Sequence, residues 1–222
     1  MHDIADNEST YAPELDHLVV AAATLKVGAA WVLDIFGVPA TLGGKHVRMG
    51  THNLLLRLDA GRYLEVIAVD PDAPTPMRPR WFGLDDTAMR SRIESCPQLI
   101  HWVCRCRGID ALAARVPALG AAYPMERGDL RWRITIPDDG NLPHDGVVPT
   151  LIEWDVATHP SVRLPETGLH LDALAATHPQ PESASKALRR LGVLSLLTLA
   201  RAPASAGLRA TFTDARGRRV VV

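Results

Sequence analysis

A short apolar phrase carrying one histidine occurs twice in the chain, and this repeat limits the fold more than any other feature. Leu15 to Val20 reads LDHLVV and Leu99 to Cys104 reads LIHWVC, with His17 and His101 in the same place. Eight residues after each histidine comes Leu25 or Ile109, followed by an Ala-rich stretch of helical character. Each copy then ends in a strand-like run with one glutamate, GRYLEVIAVD with Glu65 and PTLIEWDVAT with Glu153. His17 and Glu65 lie 48 positions apart, and His101 and Glu153 lie 52 apart. Self-similarity of this kind predicts a duplicated scaffold. Such a scaffold can bring two histidines and two glutamates around one site.

Taken in order, LDHLVVAAA reads as a strand, and TLKVGAAWVLDIFG places Val27, Ala30, Trp31, Ile35 and Phe36 at helical spacing. Thr24 suits the start of that helix and Gly37 its left-handed end. A glycine-rich connection, TLGGKHVRMG, holds at most a weak strand. THNLLLRL and RYLEVIAV are strands separated by a turn at Asp59 to Gly61. The first module is therefore β-α-β-β-β, expected over 13–72 behind a flexible leader at 1–12. Pro71, Pro74, Pro76 and Pro79 mark a linker over 73–96 with a short helix in GLDDTAMRSRIES. The second module, 97–158, repeats the order, and in LRWRITIP the residues Leu130, Trp132, Ile134 and Ile136 alternate with Arg131, Arg133 and Thr135. A third, partial β-α-β unit with a hairpin around Asp214 to Gly217 fills 168–222 and reads as scaffold. The fold class is α+β: two paired βαβββ modules in a curled mixed sheet around a cavity, plus this third unit.

Charge narrows the partners. With 24 basic and 25 acidic residues the formal net charge is −1, and no long block of one sign occurs. That disfavours nucleic acid and anionic membranes as main partners. Cys96, Cys104 and Cys106 make an odd count without CxxC spacing, which fits buried thiols in a reducing compartment. MHDIADNESTYAP lacks the basic and apolar regions of a secretory signal, and the apolar run Val193 to Ala200 is too short to span a bilayer. A cytoplasmic protein is expected, acting on a small molecule, with a homodimer as its assembly. No GxGxxG, GxSxG or P-loop occurs.

The duplicated pattern, with histidine early in each module and glutamate on each last strand, resembles the vicinal oxygen chelate superfamily. GTHNLLLRLDAGRYLEVIAVD, LRWRITIP and LIEWDVATHP resemble its glyoxalase-like domain branch. The resemblance implies two half-barrels enclosing a divalent metal. By similarity to glyoxalase I, His17, Glu65, His101 and Glu153 would be its ligands and Glu153 the general base. Imidazoles and carboxylates suit Zn, Ni, Fe, Mn or Co with water positions left open. An open position can polarise a substrate carbonyl and stabilise an enediolate, while a carboxylate removes the neighbouring proton. The expected function is a metal-dependent lyase or isomerase of a small oxygenated substrate. His52, Asn53, Arg131 and Arg133 are candidate substrate contacts, the arginines as carboxylate or phosphate grips. Against this, a histidine on an apolar strand is more often a satisfied core residue than a ligand, although a glutamate between Leu64 and Val66 needs a buried partner. A metal-free protein that sequesters a small molecule is the alternative. An extradiol-type dioxygenase, needing iron on two histidines and one glutamate, fits the symmetric set less well.

Overall fold

The computed structural model describes residues 12–222 except 60, 157 and 203. The leader expected at 1–12 lies, up to residue 11, outside the described residues. The first module comprises β1 (Glu14–Ala21), α1 (Leu25–Phe36), β2 (Thr41–His46), β3 (Thr51–Arg57) and β4 (Tyr63–Val69). The second comprises β5 (Gln98–Arg105), α3 (Ile109–Arg115), β6 (Ala121–Arg127), β7 (Leu130–Ile136) and β8 (Thr150–Trp154), with α2 (Thr87–Ser95) between the modules. The weak second strand is present as β2. α3 stops at Arg115, because the Val116–Pro117 step breaks the helix.

These eight strands form one sheet in the order β2-β3-β4-β1-β5-β8-β7-β6. β1 and β5 run antiparallel at its centre, and each pairs in parallel with the last strand of its own module, β4 or β8. The sheet curls until its edges approach. Arg48 on the β2 side donates to the Pro124 carbonyl of β6 at 3.0 Å.

Strand alternation sorts residues between two faces. Leu18, Val20, Leu64, Val66, Trp102, Cys104 and Leu151 form the outer, helix-covered core. α1 starts at Thr24, whose hydroxyl accepts the Val27 N–H at 3.2 Å, and ends at Gly37 with φ +72. Its Gly28 packs so tightly that a Cβ there would lie 2.4 Å from Val66 Cγ1. A four-stranded sheet, β10 (Thr198–Arg201), β9 (His170–His178), β11 (Gly207–Thr213) and β12 (Arg219–Val221), completes this core with α4 (Pro181–Leu191). Phe212 meets Phe36 edge-on at 5.2 Å, tying the third unit to the first module.

The inner face carries Val19, Ala21, Ile67, Val103, Trp132, Ile134 and Ile152. The proline-rich stretch is more than a connection, because it supplies Trp81, Phe82, Leu84, Met89 and Ile93 to this inner core. Burying Trp81 and Phe82 contributes roughly 1.5–3 kcal/mol each. The segment is pinned by Gly83 N–H to the Gly140 carbonyl at 2.8 Å and by Arg80 Nη1 to Asp85 Oδ1 at 2.7 Å.

Candidate functional site

β1 carries an irregularity between Leu15 and His17 that brings Asp16 and His17 to act together. Both are buried, and His17 Nδ1 lies 2.6 Å from Asp16 Oδ1. Asp16 Oδ2 accepts from Trp154 Nε1 at 3.0 Å and pairs with His159 Nε2 at 2.8 Å. Burial alone would raise the Asp16 carboxyl, but hydrogen bonds and charge from His159 and His17 outweigh it and hold the group well below the usual carboxylate range. An ionised Asp16 accepts His17 Nδ1–H and leaves Nε2 as the working nitrogen. Tyr63 stacks on the ring at 4.5 Å. Burial, then the Asp16 and Glu65 charges, push its phenol well above the ordinary value.

Glu65 stands on the next strand. Its Oε1 accepts from Asn53 Nδ2 at 2.5 Å, and its Oε2 lies 3.8 Å from His17 Nε2. That gap is too wide for a hydrogen bond, so each group keeps one atom uncommitted. Asn53 Oδ1 in turn accepts from Arg127 Nη1 at 3.0 Å, across the seam from β6. His46 completes the group, with Nδ1 on Thr51 Oγ1 at 3.0 Å. Burial, then the Arg127 charge, lower His46 to about 3.

The second module differs. His101 is fully buried, with Nδ1 on the Gly146 carbonyl at 3.2 Å. Its Nε2 meets Thr150 Oγ1 and the Thr150 N–H, both at 3.0 Å. Burial, only partly offset by the Gly146 carbonyl, lowers this ring to about 3. Both nitrogens are thus committed to the protein. Register explains the partner: β1 sets Val19 beside Glu65, and β5 sets Val103 beside Thr150. Thr150 therefore occupies the place of Glu65. Glu153 stands three positions farther along β8, and an odd displacement turns a side chain to the other face. There Oε1 accepts the Gly108 N–H at 2.7 Å and Oε2 lies 3.7 Å from Arg133 Nη1.

The expected four-ligand set is therefore not assembled. His17, Glu65 and His101 share the inner face, and Glu153 is behind the sheet. Among the described residues no group of three or more His, Cys, Asp or Glu side chains is placed to hold a metal. With the His101 lone pair occupied by the Thr150 N–H, the residues present do not fit the metal centre that the fold family implies. Of the expected substrate contacts, Asn53 alone reaches the site. His52 faces outward, 3.9 Å from Asp70. Arg131 pairs with Glu126 and Arg133 with Asp110, on the face opposite His17.

Several inner residues carried weak signals in the sequence. Asp16 was adjacent to the motif histidine and Trp154 to Glu153 on the second closing strand, whereas His46, Trp81 and Arg127 come from segments with no repeat to mark them. Strain gathers here too. Phe82, His144 and Asp145 are the non-glycine residues with left-handed backbone among those described, at φ +60, +47 and +54. The Phe82 ring sits 5.5 Å from that of His101, and Gly146 beside the other two holds the same ring. Left-handed bulky residues persist only where surrounding structure enforces them.

Two βαβββ modules sharing one curled eight-stranded sheet have the architecture of the vicinal oxygen chelate class. Residues 15–192 match the glyoxalase-like domain, and the chain belongs to that family. A hypothetical protein from Staphylococcus aureus is similar in structure at a TM-score of 0.62 and 14% identity, covering 95% of this chain and 98% of that one. A mutant of 4-hydroxymandelate synthase from Streptomyces coelicolor overlays at 0.51 and 14% identity, covering 95% of this chain and 62% of the synthase. A serine-to-threonine variant of methylmalonyl-CoA epimerase from Streptomyces coelicolor overlays only loosely, at 0.43 and 16% identity, covering 68% of this chain and 100% of that one. No curated protein matches the chain. No helix among the described residues is long and apolar enough to cross a membrane.

Proposed function

We propose that the protein moves a proton at a carbon beside a carbonyl of a small oxygenated substrate, as an isomerase or lyase. The reading rests on one arrangement. Glu65 Oε2 and His17 Nε2 lie 3.8 Å apart, each uncommitted, while Asn53 fixes the other Glu65 oxygen and Asp16 the other His17 nitrogen. Glu65 acts as the base that takes the carbon-bound proton. As it does so, His17, oriented by Asp16, gives a proton from Nε2 to the substrate oxygen, and both transfers reverse when the product carbon is reprotonated. A buried acid–base pair of fixed orientation is worth about 10²–10⁴-fold in rate. Trp81, Phe82 and Trp132 pack as buried apolar side chains on the same inner face. Both proton-transfer groups come from the first module.

A second reading, metal-free binding of a small molecule, is favoured by an open cleft of about 440 Å³ at the sheet rim, lined by residues including Trp154, His159, Arg105 and Arg107. The two readings separate in D₂O. Small 2-oxo compounds and their thiol adducts are incubated with the protein, and deuterium entry at the carbon beside the carbonyl is followed by NMR. The acid–base reading expects exchange that Glu65→Gln and His17→Ala each slow by about 10²–10⁴-fold. Exchange unaffected by either change would sink it, and binding without exchange would favour sequestration.

A further inference from the structure

This inference rests on the acid–base reading and adds the charge of its substrate. Arg127 closes β6 and reaches across the seam into the inner polar cluster. Its Nη1 donates to Asn53 Oδ1 at 3.0 Å and lies 3.4 Å from His46 Nε2. Both partners are neutral groups. Every other half-buried arginine among the described residues (Arg57, Arg62, Arg78, Arg80, Arg105 and Arg133) stands within ion-pair distance of a carboxylate. Arg127 has no carboxylate at that distance among them. It meets Glu65 only through the Asn53 amide. A cation drawn partly out of water without a counter-ion is costly unless an anion joins it.

The surroundings are shaped to keep Arg127 there. A Cβ on Gly44 would lie 2.7 Å from Arg127 Cδ, and one on Gly43 would lie 2.1 Å from Asn53 Oδ1. Glycine weakens a strand, yet β2 holds two in succession where these side chains pass. A second donor waits nearby: Trp81 Nε1 is buried without a partner, and its ring is 5.0 Å from that of His46.

We propose that Arg127 is the anion-binding residue of the site and that the substrate is a small oxo compound bearing a carboxylate. The carboxylate sits on the guanidinium, which keeps part of its residue in solvent, and the reacting carbon lies one amide's width away beside Glu65. A guanidinium fork suits a planar carboxylate better than an ammonium does.

The test uses the full chain, 2-oxobutyrate, and its methyl ester, which keeps the oxo group and loses the charge. Binding is followed by tryptophan fluorescence, since Trp81 and Trp132 line the inner face. The acid should bind at least about tenfold more tightly than the ester, a difference of about 1.4 kcal/mol. Arg127→Gln should erase that preference and Arg133→Gln should leave it intact. Gly44→Ala should reduce it with Arg127 still present, which covers the case of an unfolded Arg127→Gln protein. Equal binding of acid and ester, binding of neither, or a preference that survives Arg127→Gln overturns the proposal. The titration needs no turnover. Acid binding with no deuterium exchange therefore counts against the acid–base reading alone.

Discussion

His17 and His101 begin from the same phrase, point to the same face and are both buried, yet their rings are held differently. In the first module the neighbouring strand offers Glu65, whose free oxygen stays 3.8 Å from His17 Nε2. In the second, the equivalent place holds Thr150, which closes on His101 Nε2 at 3.0 Å with both its hydroxyl and its N–H. A single position separates an acid–base pair with spare capacity from a ring used as a structural crosslink. The repeat presents two similar frames, and the proposed chemistry needs the acid–base pair of only one of them. The other frame anchors the strained loops at Phe82 and at His144–Asp145.

The largest expected effect on stability is acid sensitivity shared by both modules. An unfolded imidazole titrates near 6.5, whereas His46 and His101 are each lowered to about 3. Between those values the unfolded chain holds more protons, so stability is full above 6.5 and is lost as pH falls. From pH 7 to pH 5 the loss should be about 2–4 kcal/mol by urea unfolding. A flat profile over that range would mean that these rings are not buried neutral.

His101→Ala should cost about 2–4 kcal/mol, because it leaves the Gly146 carbonyl and the Thr150 N–H without their partner. In a chain of this size that is roughly 5–12 °C in thermal midpoint. The same variant should lose about half of the acid sensitivity. His17→Ala should lower the midpoint less than His101→Ala does. Equal losses would erase the distinction between the two histidines.

The smallest effect concerns metal. Because His101 has no free lone pair, EDTA should move the thermal midpoint of purified protein by under about 1 °C, since a ligand stabilises only where it binds the native state. A fall of several degrees on chelation would show a metal centre built from other atoms than those expected.

Much of the fold was legible because apolar periodicity reports the buried face directly. LDHLVV, the Thr24-to-Gly37 helix and LRWRITIP all form the elements their patterns predict. The site was half legible. That His17 and Glu65 share one face was readable because both sit on strongly patterned strands. Glu153 misled because the eye matches residue type, whereas pairing register fixes the face. Its spacing of 52 instead of 48 already hinted that the repeats were out of step. Arg127, His46 and Trp81 had no local signal, since only sheet curling and the fold-back of the proline-rich segment bring them inward.

The most direct measurement compares the two glutamates that the sequence makes equivalent. On any substrate that shows exchange in D₂O, kcat is measured for Glu65→Gln and Glu153→Gln beside the parent protein. The inner-face pair predicts that Glu65→Gln loses about 10²–10⁴-fold, while Glu153→Gln stays within about threefold of the parent and shows only the small stability change of a partly exposed contact. Loss of turnover in Glu153→Gln with Glu65→Gln unaffected would contradict the assignment of the chemistry to the first module.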